Sequence, residues 1–270
     1  MNVLHSLPPP REREGLHVSV SQVKGYLICP AKYAHRYVKG TPAAHRPVSL
    51  AFGTAVHAAL ATFYEGLMNG RRLPVEEVQA AFADRWSVEL QDDLPLLFDD
   101  GQADGDVKDQ GIALLGAFMQ QGFMPEHVLA VELPFQVDLP DPDTGEILDI
   151  DLVGAIDLVA VHQGRTVICE HKTAGRRFAQ DRLLYDFQPT AYLYAARLLR
   201  LPPDPIAIFQ ILLKTKKPVV DVLPLNRTEA AQREMLETFS HVLKGIEAGA
   251  FPRNRGWACA DCEFKRACGA

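Results

Sequence analysis

Ionisable residues set within apolar runs constrain this chain more than any other feature. In Gly154-Ala155-Ile156-Asp157-Leu158-Val159 a lone carboxylate interrupts a hydrophobic run, where an unpaired charge is costly. Twelve residues later, Thr166-Val167-Ile168-Cys169-Glu170-His171-Lys172 reads as a strand whose alternation places Glu170 and Lys172 on one side. The Gln163-Gly164 turn between the two runs is short enough to bring Asp157 close to Glu170. Neighbouring carboxylates repel unless something positive sits between them, and a divalent cation with oxygen ligands is the natural filler. Lys172 would then orient a water or stabilise charge on a phosphate. A buried Asp/Glu/Lys ion-pair network satisfies the same spacing.

Cysteine spacing adds a second constraint. Three of the five cysteines form Cys259-x2-Cys262-x5-Cys268 at the C-terminal end, and Cys29 precedes Pro30 near the other. Four thiolates suit structural zinc or an iron-sulfur cluster, and in a reducing cytoplasm either is favoured over disulfides. A site shared by Cys29, Cys259, Cys262 and Cys268 would clasp the two ends of the fold, its binding energy becoming folding energy. Cys169, between Ile168 and Glu170, reads as a buried strand thiol.

The remaining pattern gives a mixed α/β order. Residues 1–16, with Pro8-Pro9-Pro10 and Arg11-Glu12-Arg13-Glu14, read as a disordered tail without a secretory core. Ser19-Val20-Ser21 offers helix caps for a segment through Val23 and Tyr26, which Pro30 interrupts. Phe52–Met68 carries Phe52, Val56, Ala59, Phe63 and Leu67 on one face, and Val75–Leu90 and Gln110–Gln121 read as further helices around an acidic loop. From Val128 the period changes to two: Val128–Val137, Ile147–Ala160 and Thr166–His171 form an antiparallel meander. A helix over about Leu183–Leu199, strands Ile206–Leu213 and Pro218–Val222, and a helix over Thr228–Glu247 complete the chain. The expected division is 17–57 for N-terminal helices bearing Cys29 and His57, 58–127 for a helical insert, 128–250 for the α/β core and 251–270 for the cysteine segment. Apolar runs fall far short of the roughly 20 residues that cross a bilayer, so no membrane span and a cytoplasmic location are expected.

Net charge is −6, and the seven Asp and one Lys between Gln91 and Asp109 account for all of it. Gly15 to Tyr64 instead holds Lys24, Lys32, Arg36, Lys39 and Arg46 with no acid, and further cations cluster at Arg176-Arg177 and Lys214 to Lys217. A local positive surface for a polyanion is compatible with this balance, as are ordinary solvated charges.

Taken together, the Asp157…Glu170-x-Lys172 pattern resembles the signature of the PD-(D/E)XK nuclease superfamily. Ser19-x-Ser21-x4-Tyr26-x2-Cys29-Pro30-x2-Tyr33, Gly53-Thr54-x2-His57 and Gln188-x3-Tyr192 resemble, in order, further motifs of its RecB-like branch. With the cysteines added, the chain is similar to its iron-sulfur members, the AddB-type nuclease domains and the CRISPR-associated exonucleases. The resemblance implies a restriction-endonuclease-like core with a mixed central sheet flanked by helices, a helical insert and a C-terminal iron-sulfur clasp. It implies Mg2+ or Mn2+ held by His57, Asp157, Glu170 and the backbone carbonyl of His171. Lys172 positions the attacking water, Gln188 and Tyr192 bind DNA or order the site, and Cys29, Cys259, Cys262 and Cys268 hold a 4Fe-4S cluster.

Read from residues alone, His57 beside an apolar stripe is equally a packed histidine, Tyr192 equally core, and Glu132 an exposed strand glutamate. The expected function is metal-dependent exonuclease action on single-stranded DNA or DNA ends, in recombination, repair or phage DNA processing. The alternatives are a weakly cutting DNA-binding subunit of a recombination or CRISPR spacer-acquisition complex, and a zinc-clasped protein in which Glu-x-Lys is accidental. The insert, which puts about 100 residues between His57 and Asp157, departs from a compact CRISPR-associated exonuclease.

Overall fold

The computed structural model describes residues 16–202 and 204–269. In chain order, β1 (Leu16–Ser19) leads into α1 (Val20–Ile28), α2 (Pro30–Tyr33) and a π-helical turn, Ala34–Val38. Then come β2 (Arg46–Pro47), α3 (Val48–Met68), α4 (Val75–Leu90), β3 (Leu96–Leu97) and α5 (Asp104–Gln121). A run of strands follows: β4 (His127–Pro140), β5 (Ile147–His162) and β6 (Arg165–Ala174). The chain ends with α6 (Gln180–Tyr185), α7 (Phe187–Leu198), β7 (Ile206–Leu213), β8 (Val219–Leu225), α8 (Glu229–Glu247), a 3-10 turn at Trp257–Cys259 and α9 (Lys265–Cys268).

Among the described residues the main sheet has six strands, in the order β1-β5-β6-β7-β8 with β4 on the other edge of β5. β4, β5 and β6 run antiparallel, β7 lies parallel to β6, and β8 returns antiparallel. The architecture is mixed α/β with a mixed central sheet between helices, consistent with a restriction-endonuclease-like fold. No described helix is long and apolar enough to cross a membrane.

Strand alternation sorts the core into two layers. Leu158, Ala160, Val167 and Cys169 face the helices of the insert, joining Phe52, Val56, Phe63, Phe82, Trp86, Leu114 and Phe118. The alternate residues Val159 and Ile168 face the opposite way, against Val23 of α1, Ala191 and Ala195 of α7 and Phe239 of α8; Ile156 joins them although it is two residues from Leu158, so the alternation breaks at Asp157. Gly154 is required by this packing, since a Cβ there would lie 2.6 Å from the ring of Phe135.

Several boundaries differ from the sequence pattern. The tail expected over residues 1–16 lies outside the described residues except for Leu16, which begins β1. Residues 16–19 pair parallel with Ile150–Val153, a contact that no local pattern encodes. Ser19 is nonetheless the cap of α1: the Gln22 N–H donates to Ser19 Oγ at 3.2 Å, and the Ser19 N–H donates to Gln22 Oε1 at 2.7 Å. α5 starts at Asp104 rather than Gln110, its first turn carrying Asp104 and Asp106, where the helix dipole favours negative charge. The helix expected over Leu183–Leu199 is two helices parted at the extended Asp186. Pro189 has no N–H and fits only a first turn, so α7 restarts just before it.

Candidate active site

The site is built where the sheet splits. One edge of β5 pairs with β1 over Ile150–Val153 and with β6 over Leu158–His162, leaving the stretch between without a ladder partner on that edge. Asp157 lies in this gap. The last β5–β6 rung is Leu158 with Cys169; beyond it, the His171 backbone N–H donates to Asp157 Oδ2 at 2.7 Å. A side chain therefore replaces a strand partner, and the same carboxylate faces α3 and β4.

From α3, His57 reaches the sheet opposite this gap. Its Nε2–H donates to the carbonyl of His171 at 3.1 Å, because a carbonyl can only accept. Nδ1 is left as a bare lone pair, 3.7 Å from Asp157 Oδ2 and 4.0 Å from Glu132 Oε1. Burial holds the imidazole below its ordinary pKa, favouring the neutral ring. Glu132 belongs to β4. Val131 pairs with Leu158 and Leu133 with Ile156, so Glu132 stands opposite Asp157. Its φ of 47° is a left-handed conformation that costs a glutamate on the order of 1 kcal/mol or more, and such strain clusters at functional sites.

One ligand atom from each of His57, Glu132 and Asp157 falls within 4.8 Å of the others. Each of the three can offer a lone pair, although Asp157 Oδ2 already accepts from the His171 N–H. The site answers electrostatically as this predicts: burial and the Glu170 carboxylate raise Asp157 well above the usual carboxylate range, and burial with Glu170 and Glu65 raises Glu132. Glu170 is buried, and its Oε2 has no hydrogen-bond partner among the described residues. Three converging acceptors fit a hard divalent cation with oxygen and imidazole ligands; Glu170 lies outside this group, its Oε1 paired with Lys172.

Lys172 pairs with Glu170 Oε1 and donates to Gln188 Oε1 at 2.8 Å. Burial opposes its charge, but Glu170, Asp186 and Asp157 outweigh burial and raise its pKa, so Nζ stays protonated. Gln188 Nε2 in turn donates to the Tyr192 hydroxyl at 2.9 Å. Burial with the Glu170 and Asp157 carboxylates pushes the Tyr192 phenol far up, keeping it neutral, and its ring meets Phe135 edge-on at 5.9 Å. Tyr192 thus belongs both to the core and to the polar chain that ends at Lys172.

Two supports were not apparent in the sequence. Asp186 caps α7 by accepting from the Gln188 N–H at 2.9 Å, and it also takes Lys24 Nζ at 2.5 Å, fixing Gln188 to α1. Behind the site, His171 stacks on Tyr64 with ring centroids 5.4 Å apart, and Gln210 Nε2 donates to its Nδ1 at 3.0 Å. Gln210 Oε1 accepts from the Phe123 N–H at 2.5 Å, while Tyr64 donates to the Phe123 carbonyl at 2.8 Å.

At the far side of α1, Cys29, Cys259, Cys262 and Cys268 line one pocket with Lys32, His35, Asn254, Ala258, Phe264 and Lys265. The two chain ends meet here through protein contacts as well. Asn254 donates to the Ile28 carbonyl at 2.9 Å, and Ala31 N–H to the Pro252 carbonyl at 3.2 Å. Buried Glu263 takes Lys32 at 2.8 Å and Arg36 at 2.5 Å. Four of the five cations in the acid-free stretch Gly15–Tyr64 are therefore paired, and Lys39 is left exposed. Lys24, Lys32, Arg36 and Arg46 are committed to Asp186, Glu263, Glu263 and Glu89, carboxylates supplied by later segments.

A split mixed sheet that gathers Asp157, Glu170 and Lys172 at its opening defines a nuclease-type α/β protein. The sequence matches the PD-(D/E)XK nuclease superfamily over residues 17–269, and the chain belongs to that superfamily, whose members act on DNA and typically use divalent metals. Among solved structures, a candidate exonuclease from Eubacterium rectale is similar in fold, with a TM-score of 0.55 at 12% identity over 92% of this chain and 87% of that one. SSO0001 aligns at 14% identity over 92% of each chain, but with a TM-score of 0.34. No curated protein matches the sequence.

Proposed function

We propose that this chain is a Mg2+- or Mn2+-dependent deoxyribonuclease of the RecB-like branch, acting as an exonuclease on single-stranded DNA or DNA ends. The observation that carries the reading is the bare His57 Nδ1 turned toward Glu132 and Asp157, beside the unpartnered Glu170 Oε2. His57, Asp157, Glu170 and the His171 carbonyl would hold the cation, with Glu132 added to the set inferred from sequence. When bound, a divalent cation supplies Lewis-acid stabilisation of charge on the scissile phosphate. Lys172, held protonated between Glu170 and Gln188, orients the attacking water and donates toward the phosphate. Gln188 orders Lys172 and is the one of the pair open to DNA, while Tyr192, buried beneath it, holds Gln188 in place.

The four cysteines that line one pocket would hold a 4Fe-4S cluster that adds folding energy at the junction, as suits a reducing cytoplasm. In this reading residues 17–57 are the N-terminal part bearing Cys29 and His57, 58–127 the insert, 128–250 the nuclease core and 251–270 the cluster segment, and the setting is recombination, repair or phage DNA processing. The test is digestion of end-labelled single- and double-stranded DNA by anaerobically purified protein. Cleavage is expected with Mg2+ or Mn2+ and none with chelator; full activity in Asp157→Ala would remove the assignment from this site.

A further inference from the structure

The segment between Lys172 and Gln188 is bounded at both ends by residues of the candidate site, yet neither end explains its middle. Residues 175–185 carry Arg176, Arg177 and Arg182 against one acid, Asp181, whose Oδ1 accepts from the Arg182 N–H at 2.8 Å. None of the residues of α6 is buried. Leu184 and Tyr185 at its end are 59% and 65% exposed, an apolar pair open to water among cations.

This exposure is not looseness at the root of the segment. Phe178 and Leu183 pack on the small core of Phe209, Ile211 and Leu213, Phe178 meeting Phe209 edge-on at 6.0 Å. Arg227 donates to the Leu183 carbonyl at 2.6 Å and to the Asp186 carbonyl at 3.3 Å, pinning the segment from behind. Arg182 is held with its guanidinium carbon 3.8 Å above the Phe178 ring, and Arg177 pairs with Asp221 at 2.8 Å. Arg177 and Arg182 are thus fixed in place while Leu184 and Tyr185 face outward.

We propose that residues 175–185 form a single-strand platform at the mouth of the active site, Tyr185 stacking on an unpaired base while Arg176 and Arg182 hold the flanking phosphates. The proposal rests on the nuclease reading above and assigns it a substrate class: single-stranded polynucleotide. A positive, aromatic segment, joined along the chain to Lys172 at one end and to Gln188 at the other, matches a polyanion whose bases are free to stack. A duplex hides those faces inside its own stack and offers Tyr185 nothing but phosphates. Leu184 widens the apolar ledge beside the ring.

The test measures binding and cutting separately, on the full chain. Fluorescence anisotropy in chelator uses short oligodeoxythymidylate, an abasic strand of equal length and a blunt hairpin duplex. Tyr185→Ala should weaken oligodeoxythymidylate binding about tenfold, the loss of roughly one base stack, and Tyr185→Phe should restore it. The abasic strand should not sense Tyr185→Ala but should bind more weakly to the Arg176→Ala/Arg182→Ala double variant. Val88→Ala, an exposed apolar site on α4, is the control and should match wild type on every probe. Cleavage with Mg2+ should lose the same factor in kcat/KM on oligodeoxythymidylate for Tyr185→Ala.

Unchanged oligodeoxythymidylate affinity in Tyr185→Ala alongside normal wild-type cutting would overturn the platform and leave the nuclease reading standing. Tyr185-dependent binding by a wild type that cuts in neither metal would do the reverse. A wild type that binds none of the three probes would overturn both.

Discussion

The His171 N–H donates to Asp157 Oδ2 at 2.7 Å at the point where the β5–β6 ladder ends, so one carboxylate serves both as a strand substitute and as part of the acceptor cluster. Its loss should therefore have two consequences. Asp157→Ala should reduce metal-dependent cleavage at least about a thousandfold. It should also cost about 1–3 kcal/mol of stability by leaving a buried N–H without an acceptor. Asp157→Asn keeps an acceptor and should retain most of that stability without activity. Glu170→Ala should be as inactive, and Lys172→Ala should bind metal in calorimetry yet fail to hydrolyse. Wild-type cleavage rates in Asp157→Asn would remove this carboxylate from the chemistry.

The elevated pKa of Asp157 gives a pH signature whose sign is fixed. Burial and the Glu170 carboxylate make the native state hold this proton more tightly than the unfolded chain does. The resulting stability is fully present below the ordinary carboxylate value of about 4 and is lost as pH rises through the raised native value. In chelator, the melting temperature of wild type relative to Asp157→Asn should fall as pH rises above the ordinary carboxylate value. The comparison cancels His57 and His171, whose lowered pKa values act in the opposite direction. Mg2+ or Mn2+ must displace the Asp157 proton, so the metal-induced rise in Tm should be larger at the alkaline end. A metal-induced shift that is flat with pH would contradict the proton displacement.

Behind the site, Gln210 links β7, the Phe123 backbone and the His171 ring, while Tyr64 braces the same ring from α3. Gln210→Leu strands the Phe123 N–H in the core and leaves His171 Nδ1 with only the Cys169 thiol at 3.5 Å, and should lower stability by about 2–4 kcal/mol. Tyr64→Phe keeps the stacked ring but loses the hydroxyl's bond to the Phe123 carbonyl and its longer contact with Gln210 at 3.3 Å, for about 1 kcal/mol. Urea midpoints would measure both. Since the backbone of His171 binds Asp157 and His57, Gln210→Leu should also weaken metal affinity, whereas Tyr64→Phe should not. Equal midpoints for wild type and Gln210→Leu would show that this network carries no stability.

The sequence made the strands of Asp157, Glu170 and Lys172 legible because an ionisable residue within an apolar, period-two run is rare and its face follows from alternation. Gln188 and Tyr192 share a helix face by spacing, and the acceptor role of Asp157 explains why its strand tolerates a carboxylate at all. What stayed hidden depends on register and on distant partners. Glu132 reads as an exposed strand glutamate until Val131 is matched to Leu158 and Leu133 to Ile156, which sets it opposite Asp157. β1 is four residues long and merges into a helix cap, so only its pairing with Ile150–Val153 reveals it. The basic residues of Gly15–Tyr64 looked free for the same reason, their carboxylate partners lying up to 231 positions away in the sequence at Glu263.

The pocket lined by Cys29, Cys259, Cys262 and Cys268 joins chain ends that protein contacts already hold together, which sets the scale of what a cluster would add. In the chain-entropy picture, a covalent link closing a loop of more than 200 residues removes roughly 5 kcal/mol of freedom from the unfolded state. The hydrogen bonds from Asn254 and Ala31 and the ion pairs of Glu263 act only in the folded state and cannot supply that term. Cys29→Ser or Cys262→Ser should therefore bleach the visible absorption of anaerobically purified protein and lower its Tm by several degrees or more. The remaining contacts should keep the chain folded at low temperature. Cys169→Ser, buried in β6 and outside the pocket, should leave the colour intact. Glu263→Gln should lower Tm without loss of iron, because it loosens the ion pairs and not the thiol ligands. Full iron content and unchanged Tm in Cys29→Ser would show that Cys29 is no ligand and that the junction is closed by the protein contacts alone.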